Sequence, residues 1–340
     1  MSSTVIFPYD LYYIFAAGKV LLEGGNPYDP ATYSAALYAI GWPLTEGVQV
    51  ITQPPFYLWI YALLALLPFT AAVPVWLLAN ALGMFFCFRF VEHDKPFRKD
   101  NLGRDNFIFA MLLFPPVIFN IQNGQVNFIA LIGLVGFLHF WRTKRDVLTG
   151  ACLALSLFKP HLLIAFYAYF GFEILRERRF LIPITAVLLM AAGVAMTFLL
   201  SPISIAGYGV HVKTIVGYEF YGASPVQSLA TLTGFQLLRP LALLLVCSYA
   251  LYDFLRRGFS VERAVYFYIP LSLLTAPYMW AHSLILLVYS YRLLLEKLFI
   301  SYPRAAKPII LLFGLSAAYF NIRTEWEWIW GTLVLIQFLL

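Results

Sequence analysis

Three ionisable side chains stand next to long apolar stretches of this chain: Asp10, Lys159 and His282. Asp10, Tyr13 and Ala17 recur at helical spacing, so Asp10 is predicted near the start of a short amphipathic helix. A carboxylate beside apolar rings is suited to act as a general base. The alternative is that Asp10 only caps the helix N-terminus.

Lys159 stands between two apolar runs, two residues before His161. An ionisable group within membrane segments is a functional candidate by default, and an ammonium there would bind a lipid phosphate. The alternative is a lysine that reaches the membrane surface from a helix end. His161 could be a simple interfacial residue. His282 could be a hydrogen-bonded structural residue, although a proline-broken helix precedes it.

Amide side chains gather between two other apolar runs. Their neutral donors and acceptors suit sugar hydroxyls, but amides also cap helix ends. This amide-rich segment contains Asn120, Gln122, Asn123, Gln125 and Asn127. Gln53 precedes a Pro-Pro pair at the start of an apolar run, where it could mark no more than a helix start.

The composition is that of an integral membrane protein. Hydrophobic residues form 61% of the 340 residues, charged residues only 12%, and the mean hydropathy is +0.78. A soluble domain is about a quarter charged. The apolar runs are continuous, which favours helices over strands. We therefore expect an all-α polytopic membrane protein with about 10 to 12 transmembrane or re-entrant helices.

Short basic loops predict the orientation. Five of them carry 18 of the 23 Lys and Arg residues, and the positive-inside rule places them in the cytoplasm. Residues 1–53 are then predicted to be a first extracytoplasmic segment, 54–340 a transmembrane bundle, and 1–340 a single domain. The run 54–69 is short and could be re-entrant. The region 201–238 is typical of an interfacial flap. No separate soluble nucleotide-sugar domain is visible.

Other classes of site have little support in the sequence. Cys87, Cys152 and Cys247 lie inside apolar runs and are read as small hydrophobes, without disulfide or metal spacing. The net charge of +6 comes from the short loops, which indicates contact with membrane lipids and not with nucleic acid. We predict no metal and no cofactor.

The order of the motifs resembles glycosyltransferase family 87, whose members are GT-C-type, polyprenyl-phosphate-mannose-dependent mannosyltransferases. The motifs run from Asp10-x-x-Tyr13 through Gly25-Asn26-Pro27-Tyr28-Asp29 and Gln53-Pro54-Pro55 to Asn123-Gly124-Gln125-Val126-Asn127, Lys159-Pro160 and Arg176–Arg179. The likeness covers most of 8–180 and, more loosely, 262–300. Each motif is weak, but the ordered set is moderately specific.

The resemblance implies a metal-independent, inverting transfer on the extracytoplasmic face of the cell membrane. Asp10 would be the catalytic base. The donor phosphate would be bound by Lys159, His161 and His282. The sugar or the lipid or glycan acceptor would be contacted by Tyr13, Tyr28, Gln53, Asn123, Gln125, Asn127 and Tyr278.

Two departures from the family pattern bear on this expectation. Only nine residues precede Asp10, whereas family members have a full membrane helix there, so the expectation is either that the start is truncated or that the protein has lost that helix. Gln53 stands where a tyrosine is usual. A transporter or flippase of a lipid-linked sugar is the alternative function, although the inverted repeats and midplane polar groups typical of transporters are not seen. A non-catalytic membrane subunit would not explain the ordered motifs.

Overall fold

The computed structural model describes residues 8–42, 51–93, 104–215, 224–235, 237–276, 279 and 281–312, and these are helical, without strands. The helices are α1 Tyr9–Leu22, α2 Pro30–Ala39, α3 Pro55–Ala65, α4 Phe69–His93, α5 Arg104–Leu112, α6 Pro115–Asn123, α7 Asn127–Arg142, α8 Asp146–Ser156, α9 Ile164–Glu177, α10 Leu181–Leu200, α11 Pro202–Ile215, α12 Pro225–Thr233, α13 Leu238–Arg257, α14 Val261–Arg263, α15 Ile269–Thr275 and α16 Val288–Ser301. Short 3-10 helices cover Pro160–Leu162 and Ala281–Leu287, and a π-helix covers Ala264–Tyr268. The predicted all-α membrane fold is confirmed.

Long apolar helices provide the candidate membrane spans. Within the described residues, three are long and apolar enough to cross a bilayer: Phe69–Glu92, Leu181–Leu200 and Leu238–Arg257. The pair Asn106–Leu112 and Pro115–Asn123, bent by 49°, could form a fourth. The run predicted over 54–69 yields only the 11-residue helix α3, well short of the ~20 residues of a straight span.

The chain divides into two compact units. The first unit comprises Met1–Leu82, Ile121–Val126 and Pro183–Glu219. The second unit comprises Gly83–Asn120, Asn127–Ile182 and Phe220–Leu340. The division into a first segment and a membrane bundle within one domain stays a prediction.

Close backbone contacts assemble the first unit around α3. A Cβ on Gly18 of α1 would overlap the Tyr61 carbonyl of α3, and a Cβ on Gly193 of α10 would overlap the Phe56 carbonyl. Small residues at such crossings let helices approach closely. Thr197 donates its hydroxyl to the Pro55 carbonyl at 2.6 Å. These contacts place α3 between α1 and α10.

Helix α1 differs from the predicted amphipathic surface helix. Nine of its 14 residues are buried, and they lie on most of its circumference. The reason is that α2 and α3 both pack against it. It is therefore a core helix of the first unit, and Asp10 in its first turn is held by a rigid element.

The region 201–238 also differs from the predicted flap. It contains α11 and α12, with residues 216–223 and 236 lying outside the described part. Pro202 occupies the first turn of α11, where its missing N–H costs nothing. Ser201 donates its hydroxyl to the Gly25 carbonyl at 2.6 Å, so the start of α11 is fastened to the turn after α1.

The second unit is assembled by glycine packing and buried ion pairs. Gly133 of α7 leaves no room for a Cβ against the backbone of α8 at Ser156. Arg179 pairs with Asp146 at 2.5 Å and lies 3.9 Å above the Trp141 ring. Arg263 pairs with the buried Asp253 at 3.0 Å. The Arg179 contacts tie the end of α9 to α7 and α8, α9 packs against α13, and Lys159 follows α8 in this unit.

Candidate active site

Asp10 lies in the first turn of α1, and Pro8 occupies the N-cap position. The expectation that Asp10 itself caps this helix is therefore wrong. Its carboxylate Oδ2 accepts a short hydrogen bond of 2.5 Å from Nε2 of Gln125. The two residues are 115 positions apart in sequence, so the tertiary fold of the first unit creates this pair.

The segment that carries Gln125 is held from several sides. Trp76 donates to the Gly124 carbonyl at 2.7 Å, and Asn80 donates to the Gln125 carbonyl at 2.9 Å. Gly124 adopts a left-handed conformation with φ +65°, and a Cβ there would lie only 3.0 Å from Cβ of Leu11. Glycine is therefore needed for both its backbone angle and its contact with α1. The Gln125 amide is consequently fixed at the carboxylate.

A cavity of about 100 Å³ opens beside this pair. It has room for several water molecules. It is lined by Tyr9, Asp10, Tyr13, Ile14, Ile51, Thr52, Gln53, Gln125 and Val126. Among these described lining residues none is basic, and the polar groups are phenols, amides, one hydroxyl and one carboxylate. Such a lining suits a neutral ligand rich in hydroxyl groups.

The structure separates the predicted sugar contacts into several groups. Tyr13, Gln53 and Gln125 line the cavity with Asp10. Oε1 of Gln53 is buried without a hydrogen-bond partner among the described residues. Tyr28 does not line the cavity, because its hydroxyl donates to the Gln53 backbone carbonyl at 2.6 Å.

The other predicted sugar contacts lie elsewhere. Asn123 is the last residue of α6 and is partly exposed. Asn127 begins α7 in the second unit, where it is fully buried and its amide has no hydrogen-bond partner among the described residues. Tyr278 lies outside the described residues.

The predicted phosphate ligands come together in the second unit. Lys159 follows α8 and is only 9% exposed, and His282 in the second 3-10 helix is 6% exposed. His161 is partly accessible, but its Nε2 is buried. Burial and the neighbouring Lys159 ammonium lower the pKa of His161 to about 3 and that of His282 well below its ordinary value. One buried ammonium beside two neutral imidazoles is a set of groups suited to a phosphate anion.

Acidification is expected to destabilise the protein through His161. The unfolded imidazole takes up a proton near pH 6.5, whereas the folded state keeps the ring neutral until about pH 3. The free energy of unfolding therefore has its full value above pH 6.5. At lower pH it decreases, by up to about 1.4 kcal/mol per pH unit. Thermal unfolding of the purified protein, followed from about pH 7.5 to about pH 5, measures this loss.

His161→Asn should make that pH dependence shallower, and His282 should account for part of the slope that remains. His139→Asn on α7 is the matched control and should keep the slope of the unchanged protein. An equally steep slope in His161→Asn would contradict the assignment.

Sequence reasoning missed several residues that build the site. Tyr9 and Thr52 line the cavity, and His211 of α11 forms a hydrogen bond with the Ile51 backbone. Tyr9 lies four residues before the predicted Tyr13 on α1, so helical spacing could have found it. His211 was not predicted as a site residue, because the region 201–238 was interpreted as an interfacial flap.

Metal chemistry has no evident site in the described part of the chain. No group of three or more His, Cys, Asp or Glu residues could hold an ion there. The three cysteines are free, and Cys87 is buried as expected of a small hydrophobe.

The fold and the site define a polytopic all-α membrane protein with a carboxylate in a polar cavity and a buried ammonium in its second unit. A model of glycosyltransferase family 87 matches residues 52–277, and the chain belongs to that family. It is therefore a membrane glycosyltransferase that uses a sugar donor and an acceptor. No curated protein and no solved structure matches the chain.

The family match includes some predicted site residues and leaves out others. Gln53, Gln125 and Lys159 lie within residues 52–277. Asp10 and His282 lie outside them. The roles of these last two residues rest on their structural surroundings and on the motif order of the sequence.

Proposed function

We propose that this glycosyltransferase transfers a hexose, most simply mannose, from a polyprenyl-phosphate-linked donor to a lipid or glycan acceptor, with inversion and with Asp10 as general base. The observation that carries the proposal is the Asp10–Gln125 pair in a cavity lined by neutral polar groups. The fold would be of the GT-C type. The reaction would take place on the extracytoplasmic face of the cell membrane.

The reaction is a single displacement at the anomeric carbon. The Asp10 carboxylate takes the proton of the acceptor hydroxyl, and the acceptor oxygen bonds to the anomeric carbon. The bond from that carbon to the phosphate oxygen breaks, and its electron pair leaves with the polyprenyl phosphate. A phosphate leaving group needs no protonating acid at neutral pH, so one carboxylate suffices, unlike the carboxylate pair of glycosidases.

Gln125 has a defined place in this scheme. Its amide donates to one oxygen of the Asp10 carboxylate and so orients the group. The acceptor hydroxyl would then meet the oriented carboxylate. Gln53 lines the same cavity and would form a hydrogen bond with another hydroxyl of the same ligand through its side-chain amide.

The donor's phosphate would bind in the second unit. Lys159 supplies the positive charge there, and His161 and His282, kept neutral by burial and by that charge, supply N–H donors. The donor's prenyl tail would lie in the membrane beside the apolar helices.

Lys159→Gln is expected to raise the apparent KM for the lipid donor by about tenfold to a hundredfold, because a hydrogen bond to a charged group contributes about 1.5–3 kcal/mol. Transfer of radiolabelled mannose from polyprenyl-phosphate-mannose to a membrane lipid extract, with the donor concentration varied, measures this. Lys144→Gln is the control, since Lys144 lies in the same unit in an exposed ion pair with Glu177. An unchanged donor KM in folded Lys159→Gln would refute the phosphate role.

The donor class is tested in the same assay. Wild-type protein should transfer label from the polyprenyl-phosphate sugar and not from the corresponding nucleotide sugar. Transfer from the nucleotide sugar alone would overturn the proposal of a lipid donor.

A further inference from the structure

The segment Ile51–Gln53 forms one wall of the cavity that holds Asp10. All three of its residues line that cavity, although none of them belongs to a helix, and α3 begins only at Pro55. A non-helical segment holds a fixed position only when other elements bind its backbone. Two buried side chains of the first unit do so here.

Tyr28 binds the end of this segment. Its hydroxyl donates to the Gln53 carbonyl at 2.6 Å, and the residue is only 4% exposed. Burial raises the pKa of Tyr28, so the hydroxyl keeps the proton that it donates. The Tyr28 backbone is itself placed by Asn26, whose Oδ1 accepts from the Tyr28 N–H at 3.1 Å.

His211 binds the beginning of the segment. It projects from α11, is buried, and forms a hydrogen bond with the Ile51 backbone. Its ring centroid lies 5.4 Å from that of Tyr28. Burial lowers the pKa of His211, so the ring is neutral near pH 7.

Tyr28 and His211 belong to elements that are fastened to each other. At the start of α11, Ser204 donates its hydroxyl to Ser201 Oγ at 2.8 Å, and Ser201 donates its own to the Gly25 carbonyl at 2.6 Å. A Cβ on Gly207 would overlap the Asn26 side chain, so α11 lies directly against the turn before Tyr28. Tyr28 and His211 therefore hold the two ends of Ile51–Gln53, and we call this pair of side chains the bracket.

We propose that Tyr28 and His211 are positioning residues, which hold Ile51–Gln53 so that the Gln53 side chain meets the acceptor sugar beside Asp10. This inference rests on the proposed function. It concerns the acceptor and not the donor phosphate, because the described residues of this cavity include no basic side chain. Gln53 lines this cavity together with Asp10, so the position of its backbone sets where its side-chain amide meets an acceptor hydroxyl.

Tyr28→Phe removes the hydroxyl and keeps the buried ring. We expect the concentration of membrane lipid extract that half-saturates transfer to rise about fivefold to thirtyfold, as for the loss of one buried hydrogen bond. The apparent KM for polyprenyl-phosphate-mannose should stay unchanged. His211→Gln should likewise raise the half-saturating concentration of membrane lipid extract and leave the KM for the lipid donor unchanged. Tyr38→Phe on the exposed side of α2 is the control and should change neither value.

Hydrogen–deuterium exchange supplies a readout that needs no activity. Amides of residues 51–53 should exchange at least about tenfold faster in Tyr28→Phe and His211→Gln than in wild type, while those of α3 should not. Unchanged exchange in both variants would overturn the inference. So would an unchanged half-saturating concentration of membrane lipid extract in an active Tyr28→Phe. Wild-type protein that transfers no sugar would instead count against the proposed function. The exchange data would still show whether Tyr28 and His211 hold residues 51–53.

Discussion

Asp10→Asn is expected to lower the rate of sugar transfer by about 10²–10⁴-fold, the usual contribution of a positioned general base. The substitution keeps the size of the side chain and its place in the first turn of α1. Asparagine cannot take up the acceptor proton at neutral pH, so the acceptor hydroxyl must attack without a base. Initial rates at saturating lipid donor, compared between wild type and variant, measure the loss.

Two comparisons make this result specific. Glu23→Gln replaces an exposed carboxylate just after α1 and should keep full activity. Equal thermal stability of wild type and Asp10→Asn would exclude unfolding as the cause of the lost activity. Full activity of Asp10→Asn in folded protein would show that another group acts as base.

Gly18→Ala is expected to disrupt the first unit. The added methyl group would overlap the carbonyl carbon and oxygen of Tyr61, and the backbone nitrogen of Ala62 lies 2.9 Å away. These are backbone atoms, which cannot rotate aside, so α1 and α3 must separate. Overpacking of this kind costs about 1–3 kcal/mol or more of the free energy of unfolding. Activity should fall as well, because α1 carries Asp10.

Gly209→Ala is the matched control for this prediction. Gly209 lies in α11 of the same unit, and nothing lies within 4 Å of a Cβ placed there. Its replacement should leave the thermal unfolding temperature unchanged or raise it slightly, since alanine favours helix over glycine. Equal unfolding temperatures for Gly18→Ala and Gly209→Ala would contradict the close packing of α1 on α3.

Continuous apolar runs in the sequence coincide with long helices. The run over 180–200 coincides with α10, and the run over 239–255 with α13. Hydropathy identifies such segments because a helix satisfies its own backbone groups in an apolar environment. Shorter elements depend on their neighbours. The burial of α1 follows from α2 and α3, and Pro202 with Gly207 allows α11 to pack against the turn at Asn26.

The chemistry of the site was only partly predictable. Residue types drew attention to Asp10 and Lys159, because isolated charges among apolar runs are rare. The hydrogen bond from Gln125 to Asp10 joins distant parts of the chain, and no local spacing encodes it. Tyr28 was predicted to contact sugar, yet its hydroxyl is bonded to the Gln53 backbone, which makes it a support for the cavity wall.

The most direct test of the account is the anomeric configuration of the product formed by wild-type protein from polyprenyl-phosphate-mannose of known configuration. One-bond carbon–hydrogen coupling at the anomeric carbon, measured by NMR on ¹³C-labelled product, reports that configuration. A single displacement with Asp10 as the base predicts a mannosylated acceptor of inverted configuration. A product of retained configuration would contradict that mechanism, because one back-side displacement inverts the anomeric carbon, and retention requires a second displacement or attack from the face that the leaving group occupies.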